Sequence, residues 1–128
     1  MLLSGIPYDD FNAAAKKSVK VNKYLYSANE WLYRSTIYAF LRGCGFVVHA
    51  EMHTNLGRPD LVISHKQKTW VIEIKVAYEG QNPKTKAKEA MKQIIENNYA
   101  IPYPGAVCIG LGIDDTKRVI AEMEVKEL

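Results

Sequence analysis

The sequence predicts one α/β (α+β) domain in which helices cover a mixed central sheet, and three observations predict it. A stretch with helical periodicity comes first, and three short β-branched stretches separated by turn residues follow it. A second helical stretch then leads to two further strands, giving the order α-β-β-β-α-β-β. A helix interposed between strands is how a chain places two of them parallel in one sheet. The length of 128 residues suits a single domain. Hydrophobic residues make up 48% and charged residues 24%, which excludes disordered, collagen-like and coiled-coil proteins.

Residues 1–24 read as an N-terminal arm carrying Lys16, Lys17, Lys20 and Lys23, and residues 25–128 as the domain. The first helix is expected from Ser27, where Ser27-Ala28-Asn29-Glu30 fits a capping box, and Leu32, Thr36, Ile37, Phe40 and Leu41 recur at helical spacing as far as Gly43. Residues 46–52 form the first strand, followed by a turn at Asn55-Leu56-Gly57. Asp60 to Ile63 and Thr69 to Ala77 follow as a hairpin around the polar turn His65-Lys66-Gln67-Lys68. Asn82-Pro83 starts the second helix, with Ala87, Ala90, Met91, Ile94 and Ile95 on its apolar face down to about Asn98. After the Pro102 to Gly105 break, Ala106 to Gly112 and Arg118 to Val125 are the last strands, with Asp114-Asp115 in the turn between them.

Two cysteines, Cys44 and Cys108, supply no disulfide framework and are expected to pack as small buried hydrophobes. The N-terminal residues lack a basic segment ahead of a long apolar run, so the chain reads as cytoplasmic. The uncharged stretch from Tyr99 to Ile113 is broken by prolines and glycines and is too short to span a bilayer. Seventeen Lys and Arg against fourteen Asp and Glu leave a net charge of +3, which permits nucleic-acid binding.

The chemistry concentrates in Thr69-Trp-Val-Ile-Glu73-Ile-Lys75-Val-Ala77. Strand alternation puts Trp70, Ile72, Ile74 and Val76 on one face and Glu73 with Lys75 on the other. Opposite charges in so apolar a strand either form a surface ion pair on an edge or belong to a buried functional site. Upstream, Gly57-Arg-Pro-Asp60 delivers an acid thirteen residues before Glu73, a spacing that suits a tight hairpin. Two carboxylates on one face are tolerated when a cation lies between them, and hard oxygen ligands favour Mg²⁺ or Mn²⁺.

Pro59-Asp60 followed by Glu73-Ile74-Lys75, in this order of elements, resembles the PD-(D/E)XK nuclease superfamily over roughly Ser27 to Gly112. More narrowly, Ile6-Pro-Tyr8, Glu51 before Gly57-Arg58, Val71 to Lys75, and Gln93-Ile with Asn98-Tyr99-Ala100 are similar to the nuclease-like domain at the C-terminus of bacterial AAA-ATPase-like proteins. The resemblance implies a restriction-endonuclease-like core and hydrolysis of DNA phosphodiester bonds to leave 5′-phosphate and 3′-hydroxyl ends. It implies that Asp60, Glu73 and the backbone carbonyl of Ile74 hold the divalent ion, while Lys75 acts on the attacking water and the growing phosphate charge.

The resemblance also implies an acid on the first helix, which Glu30 matches; Glu30 is equally placed to cap that helix, and Glu51 is the rival acid. Gln93 matches a glutamine that the superfamily often places near the site. Arg58, Lys84, Lys86, Lys88 and Lys92 would then track the DNA backbone. His49, Glu51 and His53 alternate on one strand face, but no cysteine or third histidine lies at a spacing that would support zinc. Among eight tyrosines, Tyr99 and Tyr103 could stack on bases, although packing explains most tyrosines as well.

Three functions remain open on the sequence: a metal-dependent nuclease, a non-catalytic DNA- or partner-binding domain serving an AAA-type ATPase, and a homodimeric Holliday-junction resolvase. No Gly-x-x-x-x-Gly-Lys-Ser/Thr loop occurs, so ATP hydrolysis by that route would need another region or protein.

Overall fold

The computed structural model describes residues 30–50 and 58–127. The expected arm, Ser27, Glu51, His53 and the turn at 55–57 lie outside the described residues. Helix α1 spans Glu30–Gly43, β1 Val47–Ala50, β2 Leu61–His65, β3 Lys68–Ala77, α2 Pro83–Glu96, β4 Val107–Asp114 and β5 Val119–Glu127. The order matches the sequence expectation, and the five strands form one mixed sheet ordered β1-β2-β3-β4-β5. Only β3 and β4 run parallel, joined through α2; the other neighbours are antiparallel.

The sheet is buried on both faces, so β3 reads as a nearly continuous apolar run rather than a clean alternation. On one face Tyr33, Ile37 and Leu41 of α1 pack against Leu61, Ile63, Trp70, Ile72, Ile74 and the apolar residues of β4. These helical positions fall at i, i+4 and i+8, the stripe that faces a core. On the other face Ala87, Ala90 and Ile94 of α2 lie against the sheet, with Ile94, Val71, Tyr99 and Cys108 forming a second, smaller core.

Several boundaries differ from expectation for local reasons. The β2–β3 turn narrows to Lys66-Gln67, both at positive φ (49° and 66°), so β2 runs on to His65 instead of stopping at Ile63. Positive φ at both central residues is the type I′ geometry whose twist matches that of a hairpin. Helix α2 begins as expected, with Asn82 accepting from the Lys84 N–H at 2.9 Å and Pro83 in the first turn. It ends at Glu96 rather than about Asn98, because Asn98 turns left-handed (φ 56°) and closes a Schellman motif. The Tyr99 N–H donates to the Ile94 carbonyl at 3.1 Å and the Asn98 N–H to Ile95 at 3.2 Å. Cys108 is buried as expected, whereas Cys44, just past the end of α1, is exposed. Among the described residues no helix is long and apolar enough to cross a membrane.

Candidate active site

Asp60 immediately precedes β2, and the register Leu61↔Ile72, continued by one residue, sets it across from Glu73. Residues opposite one another in an antiparallel pair share a face. Here that face is the one under α2. The Ile74 N–H donates to Asp60 Oδ2 at 2.8 Å, a side chain taking a backbone donor where the β2–β3 ladder has ended. Asp60 Oδ1 lies 3.4 Å from Arg34 Nη1 on α1, tying the two structures that flank the site.

Glu73 is 3% exposed and is the buried charged side chain of the described core. Its position on β3, third of five strands, rules out an edge strand bearing a surface ion pair. Gln93 on α2 donates from Nε2 to Glu73 Oε2 at 2.8 Å. The same amide nitrogen lies 3.3 Å from the Tyr99 hydroxyl, which also accepts from Asn97 Nδ2 at 3.1 Å. The helix cap that turns the chain at Asn98 therefore also holds the glutamine in the orientation that presents N–H, not oxygen, to the carboxylate.

Gln93 can reach Glu73 because β4 lacks side chains where α2 crosses it. Glu73 pairs with Gly110 and Lys75 with Gly112 across the parallel ladder. A Cβ on Gly110 would lie 2.5 Å from the Ala87 carbonyl oxygen and 2.8 Å from the Met91 nitrogen. One on Gly112 would fall on the carbonyl of Pro83. Glycine inside a strand marks such a close backbone approach, a signal present in Gly110-Leu-Gly112 but not taken up in the sequence reading.

Burial raises the Glu73 pKa far above its ordinary 4.5, and Asp60 adds to the rise by hydrogen bonding and by charge; Lys75 opposes it in part. Burial also raises Glu30, where Lys75, Lys86 and Arg34 pull down and Asp60 pushes up. Glu30, the first residue of α1, thus stands within electrostatic reach of the site. Among the described residues no three His, Cys, Asp or Glu side chains form a metal-holding cluster. Two adjacent carboxylates, one of them buried against its charge, are still a donor set suited to a hard divalent cation.

The sign of the Glu73 shift has a measurable consequence. An acid whose folded-state pKa is raised stabilises the fold fully below its unfolded value and loses that contribution as pH climbs toward the raised value. In EDTA, the melting temperature of the protein should fall from about pH 5 to about pH 9. Glu73→Gln mimics the protonated acid, so it should melt higher than the parent at pH 8 and flatten the slope. Mn²⁺ should then raise the melting temperature of the parent but not of Glu73→Gln. A variant that melts lower than the parent at pH 8 would contradict this account.

The structure divides the lysines expected to touch DNA. Lys86 and Gln93 share the flank of α2 nearest the site, three and four positions around the buried Ala90. Lys84 and Lys88 lie on the opposite flank and Lys92 faces outward, paired with Glu96 at 3.7 Å. Arg58 is exposed two residues before Asp60. Of the zinc arrangement, His49 is exposed on β1 and the rest falls outside the described residues. Tyr99 is 6% exposed and occupied with Gln93 and Asn97, so it is no stacking platform, and Tyr103 packs beside it.

Two residues of the site had no signal in the sequence. Arg34 meets Asp60 through tertiary packing, and the buried Tyr33 donates to Asp115 Oδ1 at 2.5 Å across 82 residues. That second bond fixes the start of α1, and Glu30 with it, against the turn between β4 and β5.

A family model described as the PD-(D/E)XK nuclease superfamily matches residues 28–123, three quarters of the chain. The chain belongs to this superfamily. The mixed five-stranded sheet with two helices described above contains the αβββαβ order of the PD-(D/E)XK core, a restriction-endonuclease-like fold, with β5 added after it, and Pro59-Asp60 with Glu73-Ile74-Lys75 matches the residues of its name. No curated protein and no solved structure gives a significant match.

Proposed function

We propose that the chain is a divalent-metal-dependent deoxyribonuclease that hydrolyses phosphodiester bonds to leave 5′-phosphate and 3′-hydroxyl ends. One observation carries this reading: Glu73 is buried beside Asp60 and gripped by Gln93, with Lys75 one step along the same strand face. A buried acid raised so far in pKa is costly to keep, and such groups concentrate where chemistry is done.

In this reading Asp60 and Glu73 hold Mg²⁺ or Mn²⁺ together with the Ile74 carbonyl. A strand residue sends its N–H and C=O toward the same neighbour, and the Ile74 N–H points at Asp60. The ion, when bound, acidifies water and neutralises phosphate oxygens. Lys75 orients the attacking water and offsets the negative charge growing on the phosphate. Gln93 keeps the Glu73 carboxylate turned toward Asp60. Glu30 serves as the auxiliary acid at the mouth, since its pKa responds to both Lys75 and Asp60. Lys86 and Arg58 contact the substrate's phosphates nearest the site, with Lys84, Lys88 and Lys92 as more distant attraction.

The narrower similarity to domains that follow AAA-ATPase-like regions supports a partnership with such an ATPase in the cytoplasm. A homodimeric junction resolvase is the version of the same chemistry that would need two copies of the site.

The test is incubation of supercoiled, linear and four-way-junction DNA with Mg²⁺, Mn²⁺ or EDTA. Cutting with metal, none in EDTA, and product ends that a ligase reseals are the expected results. DNA bound but never cut under any metal would replace the enzyme with a binding module.

A further inference from the structure

The two carboxylates of the site are held by partners of different charge. Gln93 donates a neutral amide N–H to Glu73 Oε2 at 2.8 Å, whereas Asp60 Oδ1 faces the Arg34 guanidinium, with Nη1 at 3.4 Å. The other oxygen of Asp60 accepts the Ile74 N–H at 2.8 Å. At 3.4 Å the Arg34 contact is longer than the roughly 2.7–2.9 Å of a tight charge-assisted bond, so Asp60 does not hold the guanidinium closely. The side chains of Arg34 and Asp60 are 13% and 16% exposed, which leaves the pair open to a ligand lying against the site.

The support beneath Arg34 is firm. Its neighbour Tyr33 is buried and donates to Asp115 Oδ1 at 2.5 Å, and Ile37, one turn on, lies in the core. The cation is therefore built into the site from the body of α1, not carried there on a loop.

This cation sets a condition on the metal. Asp60 would share its charge between Arg34 and a divalent ion, and like charges around one carboxylate repel. The neutral amide at Glu73 imposes no such cost. An anion lying against both cations removes it. A phosphodiester is such an anion, and the planar fork of a guanidinium matches phosphate oxygens in a way that a lysine ammonium does not.

We propose that Arg34 contacts the substrate phosphate and thereby makes metal binding and DNA binding depend on each other. This rests on the nuclease reading above and adds a regulation of the same site: metal alone is held weakly, and metal together with DNA is held tightly. By linkage each ligand strengthens the other by the same factor.

The experiment uses the full chain and Ca²⁺ in place of Mg²⁺. Calorimetry measures Ca²⁺ binding without DNA, and fluorescence anisotropy measures binding of labelled duplex and single-stranded DNA in EDTA and in Ca²⁺. In the parent, Ca²⁺ should tighten DNA binding by about tenfold. Arg34→Gln should bind Ca²⁺ alone at least as tightly as the parent, yet lose most of that tightening. Arg34→Lys, which keeps the charge without the fork, should match the parent on Ca²⁺ alone and lose part of the tightening. An arginine that merely positioned Asp60 would give the opposite first result, weaker Ca²⁺ binding in Arg34→Gln. That outcome, or full tightening in either variant, would overturn the role of Arg34 while leaving metal-dependent cutting by the parent untouched. A parent that binds neither Ca²⁺ nor DNA, and cuts nothing with Mg²⁺, would overturn the nuclease reading, and this one with it.

Discussion

Lys75→Ala should cleave DNA about 10²–10³-fold more slowly than the parent while melting at nearly the same temperature. The two halves of that result have separate causes. The Lys75 ammonium makes no ion pair or hydrogen bond with another described residue, and the side chain is half-buried, so the fold gains little from it. Its charge, however, acts on both Glu73 and Glu30. Removing a cation beside two acids leaves them more attractive to a divalent ion. Mn²⁺ titration calorimetry should therefore show affinity equal to or tighter than the parent's, although cleavage collapses. A loss of this size, about 2.7–4 kcal/mol of transition-state stabilisation, is what one well-placed electrostatic group supplies. Cleavage at the parental rate would remove Lys75 from the mechanism. Weakened Mn²⁺ binding would show instead that the residue serves the metal site.

Among the described glycines, Gly112→Ala should produce the largest structural effect. The added carbon falls on the Pro83 carbonyl, at the first turn of α2, where the helix backbone is held by the Asn82 cap and cannot swing aside freely. Overpacking of this kind costs about 1–3 kcal/mol, which in a domain of this size lowers the melting temperature by roughly 5–15 °C. Cleavage should fall by more than the loss of folded protein explains, because displacing α2 moves Gln93 away from Glu73 and Lys86 away from the mouth. Circular dichroism melts and cleavage rates measured well below the transition separate the two effects. Gly43→Ala is the control. Nothing lies within 4 Å of a Cβ there, and it should melt within about a degree of the parent. If Gly112→Ala were equally silent, α2 would not be seated on β4 as described.

These two positions mark the limits of what the sequence discloses. Glu73 and Lys75 stand out because charge inside an apolar run is conspicuous in one dimension, and Asp60 stands out because a hairpin spacing links it to them. The start of α2 is equally plain, since Asn82-Pro83 carries its own local geometry. Gly112 is silent by contrast: only the arrival of a helix from another part of the chain makes the missing Cβ matter. Arg34 and Asp60 are 26 residues apart and Tyr33 and Asp115 are 82 apart, distances over which no periodicity speaks. The hairpin turn reads as four residues in the sequence because Lys66 and Gln67 are not the glycine and asparagine that usually announce positive φ. The end of α2 is hidden for a similar reason, with Asn98 filling a place more often given to glycine.

β5 closes one side of the sheet, and among the described residues no further strand pairs with it. An open edge nine residues long invites another polypeptide to hydrogen-bond along it, the first step toward fibrous aggregates. Val125 even offers an apolar foothold there, at 45% exposure. The strand answers with Glu122, Glu124, Lys126 and Glu127, three acids to one base, in a molecule that is positive overall. A second copy laid alongside would bring acid against acid and strip water from each, so the border that the fold leaves unfinished is guarded against its own kind.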